Sequence, residues 1–140
     1  MKNVNILLFA LLLALLAPLA VADDANSDGG ASADAAEVLK GEYLWTKRDV
    51  SGPVEARFVA AGDGKWDVSF QFTFRDRQHT YTGTATGSLS DGALEGEVMN
   101  EDKRRTFTFT GTSSAGTFEG THAEIRDGET IDTGSIKLKG

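Results

Sequence analysis

From Lys65 to Arg75 the chain alternates without a break. Trp66, Val68, Phe70, Phe72 and Phe74 fall on one face, and Lys65, Asp67, Ser69, Gln71, Thr73 and Arg75 on the other. A period of two over a whole segment is the mark of a strand with one buried and one wet face. The pattern recurs to the C-terminus with no helical stretch. It predicts eight strands: near Glu42 to Lys47, then Val54 to Ala60, Lys65 to Arg75, His79 to Leu89, Ala93 to Met99, Arg104 to Thr112, Thr117 to Ile125 and Thr130 to Lys139. Between them lie turn signals at Gly62-Asp63-Gly64, Asp76 to Gln78, Ser90-Asp91-Gly92, Asn100 to Lys103, Ser113 to Gly116 and Arg126 to Glu129. Such spacing is that of an all-β meander.

The inward positions differ in size along this meander. The third strand offers only large side chains, whereas later strands offer Gly83, Gly87, Gly96, Gly111, Gly120 and Gly134. Glycine within a strand marks a bend or a close approach of a bulky neighbour. A sheet built this way can curl until Trp66, Phe70, Phe72, Phe107, Phe109 and Phe118 fill its middle. Eight strands close around an interior just wide enough for such filling, and closure removes the edges that invite aggregation. The expectation is therefore one small antiparallel up-and-down barrel, with an open two-sheet sandwich as the alternative. A repeat lies inside it: Thr86-Gly87, Gly92, Leu94-Glu95-Gly96 and Val98 recur 24 residues on as Thr110-Gly111, Gly116, Phe118-Glu119-Gly120 and His122, which suggests a duplicated hairpin.

The first strand carries Gly41-Glu42-Tyr43-Leu44-Trp45. This resembles the glycine-any-tryptophan opening of lipocalins and avidins, with tyrosine in the place of that tryptophan and Trp45 two residues later. The plan as a whole resembles the calycin-like barrels (lipocalins, fatty-acid-binding proteins and avidins) and the small barrel inhibitors of secreted proteases. The resemblance implies a fold and transfers no functional residue.

The N-terminus changes the picture of where this domain works. Lys2 precedes an unbroken apolar run from Ile6 to Ala17, Pro18 ends it, and Ala20-Val21-Ala22 has the small-x-small pattern of a cleavage site. Twelve residues span only about 18 Å of a ~30 Å hydrocarbon core, so a stable membrane span is not expected. Residues 1–22 read as a cleaved signal peptide, 23–37 as a disordered acidic Ala/Asp/Ser/Gly tether, and 38–140 as the barrel domain. The expected location is a periplasm or outside the cell. Strands mostly shorter than the ~9–11 residues a bilayer requires, and no aromatic girdle, argue against an outer-membrane barrel.

Charge and cysteine content narrow the chemistry. The formal charge is −7, yet Leu39 to Gly140 carries 13 basic and 16 acidic side chains, so the acidity belongs to the tether. With no basic stripe, nucleic acid is not an expected partner. The chain has no cysteine, which excludes disulfides, thiolate metal sites and an acylated cysteine anchor.

Alternating strand direction gathers His79, Tyr81, Arg105, His122, Glu124 and Asp132 at one rim, all at nominally inward positions, and Trp66, Leu89, Leu94, Phe118, Ile136 and Leu138 at the other. One end reads as polar and the other as plugged. His79, Tyr81, Arg105, His122 and Glu124 are the candidate ligand-binding residues for a small polar ligand. His79, His122 and Glu124 are also the types that bind a metal, although solvated rim residues and an Arg105–Glu124 ion pair account for them as well, and no metal or cofactor is expected. After His122 the alternation slips, since Ala123 and Ile125 read as the buried set; a bulge there would turn Glu124 outward. No nucleophile elbow, phosphate loop or His-Glu-x-x-His helix is present, and Glu95, Glu97 and Glu119 read as a solvated face, so the expectation is a non-catalytic, monomeric protein. The alternatives to small-ligand binding are a protein-binding module, such as an inhibitor of a secreted enzyme presenting its threonine-rich outer face, and a purely structural periplasmic domain.

Overall fold

The computed structural model describes residues 35–140 apart from 101 and 103. The expected signal peptide, most of the expected tether and part of the Asn100 to Lys103 turn lie outside the described residues. Eight strands run in order: β1 (Ala36–Trp45), β2 (Val50–Gly62), β3 (Lys65–Phe74), β4 (Arg77–Gly87), β5 (Asp91–Asn100), β6 (Arg105–Ser114), β7 (Thr117–Arg126) and β8 (Glu129–Lys139), with a 3-10 turn at Thr46–Arg48. Each pairs antiparallel with the next, and β8 pairs with β1 from Lys40↔Lys139 to Trp45↔Gly134. The sheet is a closed up-and-down barrel, which excludes the open sandwich.

Three local expectations are corrected. β1 starts at Ala36 and ends at Trp45, because Leu39 and Gly41 carry the inward alternation of Tyr43 and Trp45 upstream of Glu42. The β3–β4 turn is Arg75-Asp76, both at positive φ (51° and 59°), so Phe74 pairs with Arg77 across a two-residue turn with no glycine to announce it. The repeat does not extend to pairing. Glu95 faces Thr86 in β4–β5, but its counterpart Glu119 faces Thr112 rather than Thr110. A slip of two residues keeps every side chain on its own face, so the barrel tolerates it.

One end of the barrel is solid. Phe58, Leu94, Phe118 and Leu138 are fully buried there, and Leu89 lies beneath them in the β4–β5 loop. Edge-to-face contacts link Phe58 to Phe70, Phe70 to Phe109 and Phe109 to Phe118, at centroid separations of 6.2, 5.1 and 6.2 Å. The Trp66 indole donates to the Gly87 carbonyl at 3.0 Å. Tight closure depends on inward glycines. A Cβ at Gly83 would overlap the Glu97 carbonyl oxygen and lie 2.8 Å from Val98 Cα, and a Cβ at Gly134 would overlap the Leu44 oxygen. The outer face is polar, with ion pairs such as Lys40–Glu55 (3.2 Å) and Lys137–Glu119 (2.6 Å).

The other end is less tightly laced. The β2–β3 ladder stops at Val54↔Phe72 and the β4–β5 ladder at Thr82↔Met99, whereas β3 and β4 stay paired to Phe74↔Arg77. The tip of the β3–β4 hairpin therefore stands apart from both neighbours. Side chains bridge the two gaps: the Tyr43 hydroxyl lies 3.5 Å from the Thr73 carbonyl, and Asn100 Nδ2 donates to the Thr80 carbonyl at 2.9 Å.

Candidate functional site at the barrel mouth

The alternation that builds the strands also brings rings to the loosely laced end. Tyr43 and Trp45 come from β1, Phe72 from β3, Tyr81 from β4, Phe107 from β6 and His122 from β7. They surround a cavity of about 80 Å³ completed by aliphatic side chains such as Val54, Val98 and Ile136. Tyr81 stacks on Phe72 (5.6 Å, 17°) and meets Phe107 edge-on at 5.4 Å. His79 is buried and stacks on the same Phe72 at 5.4 Å. Tyr43 lies over Gly52, its pairing partner, and borders both the cavity and an open cleft between β2 and β3.

Above the rings sits a charged cluster. Glu124 is 5 % exposed and accepts from Arg105 Nε at 2.8 Å and from an Arg126 Nη at 2.7 Å. Burial alone raises its pKa, but the hydrogen bonds and charges of the two guanidiniums outweigh it and hold the carboxyl below its ordinary range. The Arg105 guanidinium lies 5.2 Å from the Trp45 ring centroid and 5.1 Å from that of Phe107, and Arg48 lies 5.3 Å from Trp45. Tyr81 responds to the same cluster: burial raises its phenol, Arg105 draws it down, and Glu124 pushes it up again.

Glu124 faces inward despite a bulge at the expected place. His122 pairs with Gly134 but Ala123 pairs with Asp132, so the extra residue is Thr133 on β8 and β7 runs through undisturbed. The slip in alternation read on β7 is taken up by its partner. It turns Asp132, expected inward, out to an exposed position.

His122 is a clip rather than an open ligand group. Its Nε2 lies 3.0 Å from the Leu44 carbonyl, which can only accept, so Nε2 carries the proton. Nδ1 lies 2.7 Å from Thr133 Oγ1, whose hydroxyl also lies 2.9 Å from the His122 carbonyl. Burial lowers the His122 pKa, against hydrogen bonds with the Leu44 and Ser135 backbone that raise it, and so favours this neutral form. The imidazole ties β7 to β1 and to the β8 bulge, in space left by Gly134.

The structure thus brings Tyr81, Arg105 and Glu124 into one cluster. It sets His122 in the cavity wall with both nitrogens engaged, and buries His79 against Phe72. Among the described residues no three acidic or histidine side chains gather as a metal-binding group. Tyr43, Trp45 and Asn100 belong to the site but were not among its predicted members. The signal for the first two was the alternation Leu39, Gly41, Tyr43, Trp45. Comparisons with protein-family models, curated proteins and solved structures found no match for this chain, so the functional reading rests on geometry.

Proposed function

We propose that this is an exported, non-catalytic binding protein whose open barrel end holds a small ligand, a polar group at the charged rim and an apolar part among the rings. The observation that carries this reading is the asymmetry of the interior. One end is filled by fully buried Phe58, Leu94, Phe118 and Leu138, while the other keeps a ring-lined cavity of about 80 Å³ whose Trp45 and Phe107 carry the Glu124-paired Arg105 guanidinium. Ligand sites have this form: mostly apolar walls with a few placed polar groups. A binding role fits the site better than catalysis, because Glu124 is neutralised by two guanidiniums and both His122 nitrogens are engaged. Export is supported by Lys2, the Ile6 to Ala17 run and Ala20-Val21-Ala22. The calycin-like resemblance at Gly41 to Trp45 agrees with a ligand taken at a barrel mouth.

The test is native mass spectrometry of the protein purified from its own host's exported fraction. A chain beginning at Asp23, with extra mass lost on denaturation, is the expected result. A bare monomer in every preparation would overturn the ligand reading and direct attention to protein partners.

A further inference from the structure

We propose that the occupant of this mouth is a short-chain carboxylate of about three or four carbons, its carboxyl group on Arg105 and its tail in the cavity; this rests on the ligand-binding reading above. The cavity sets the tail. Its volume of about 80 Å³ is roughly half that of a cavity of about 150 Å³ known to hold a benzene ring. There is room for two or three methylene-sized groups and not for a six-membered ring. The wall is made of aromatic faces and aliphatic side chains, and the His122 nitrogens are engaged elsewhere, so the tail is hydrocarbon.

Arg105 sets the head. Two rings that line the cavity, Trp45 and Phe107, hold its guanidinium, and Glu124 takes its Nε–H. Among the described residues neither Nη has a protein acceptor, and the side chain is 31 % exposed. A guanidinium fixed in this way presents a planar fork that matches a carboxylate. The charges nearest the cavity favour an anion: Arg105 and Arg126 both pair with the buried carboxylate of Glu124, and Arg48 lies over the Trp45 ring on the same rim. Six of the seven arginines in the chain lie at this end. The acids that share it, Asp49, Asp76, Asp102, Asp127, Glu129 and Asp132, are exposed to solvent. A cation would meet three guanidiniums here. A neutral alcohol would satisfy the tail and leave the fork unused.

The experiment titrates butyrate, acetate, butylammonium and 1-butanol into the mature protein and follows the Trp45 indole resonance by NMR. Butyrate is expected to give saturable shifts, with acetate at least about tenfold weaker for want of two methylenes. R105Q is expected to weaken butyrate by about tenfold or more, and R105K to recover part of the loss, since charge returns without the fork. Dispersed spectra confirm that each variant is folded, and the wild-type ligand series stands even if a variant is not. Equal binding of butyrate and 1-butanol, or tighter binding of butylammonium, would overturn the carboxylate inference while leaving the small-ligand reading in place. No saturable shift with any of the four would overturn the inference. If the host-purified protein also shows only its bare mass, the small-ligand reading falls with it.

Discussion

Gly83→Ala tests how tightly this barrel is closed. The residue faces inward on β4 opposite Val98, one pair from the end of a β4–β5 ladder of six register pairs. An added Cβ overlaps the Glu97 carbonyl oxygen and sits 2.8 Å from Glu97 C and from Val98 Cα, where ordinary contact begins at 3.4 Å. The obstacle is backbone, so the strands must part locally to admit the methyl. That strains about two ladder hydrogen bonds at ~1 kcal/mol each and adds ~1–3 kcal/mol of overpacking, for a total of about 3–5 kcal/mol. A small domain has only ~5–15 kcal/mol in hand. Gly52→Ala is the control. It also faces inward, but its Cβ would meet only the Tyr43 ring, at 3.2 Å, and a side chain can yield by tenths of an ångström. The reduced entropy of the unfolded chain offsets that, leaving a change within about 0.5 kcal/mol. Urea unfolding followed by tryptophan fluorescence separates the two cases. A Gly83→Ala cost within ~1 kcal/mol of the Gly52→Ala cost would refute the close-approach argument.

Acid should weaken the fold in two stages. The buried His122 has a lowered pKa, so below about pH 6.5 the unfolded chain binds a proton that the native state resists, and stability falls with pH. The lowered Glu124 carboxyl contributes stability above its unfolded pKa of about 4.3, lost as pH falls through the folded value. E124Q should therefore cost about 1–3 kcal/mol at pH 7 and flatten the lower stage; urea midpoints across pH that keep the wild-type shape in this variant would contradict it. Among the described residues Ser113 Oγ is fully buried without a hydrogen-bond partner, so Ser113→Ala should raise stability by about 1 kcal/mol in the same assay, and a loss would point to a partner for the hydroxyl.

The architecture was legible because every core strand alternates, and because large residues on β3 meet small ones elsewhere. Chain turns were legible where glycine marked them, and misplaced at Arg75-Asp76, where two ordinary residues take positive φ. The site was half legible. Strand direction brought Tyr81, Arg105 and Glu124 to one rim, but the orientation of Glu124 depends on Thr133, an extra residue on the neighbouring strand that the sequence of β7 cannot announce. The engagement of His122 with Leu44, 78 residues away, is set by closure and has no local signal. Tyr43 and Trp45 were assigned to a strand read six residues too late at its start.

The unlaced tip of the β3–β4 hairpin has a kinetic consequence. Phe72 and Tyr81 line the cavity where the β2–β3 and β4–β5 ladders end, and beyond them the hairpin tip is tied to its neighbours by the Tyr43 and Asn100 side chains rather than by ladders. Opening there costs a fraction of global unfolding, as for any sub-global unit with few backbone pairings. On the proposed reading, a ligand would come and go as this one hairpin frays, at a rate set apart from the barrel's overall stability; amide exchange from Thr73 to Thr80 will be fast while β6–β7 remains protected.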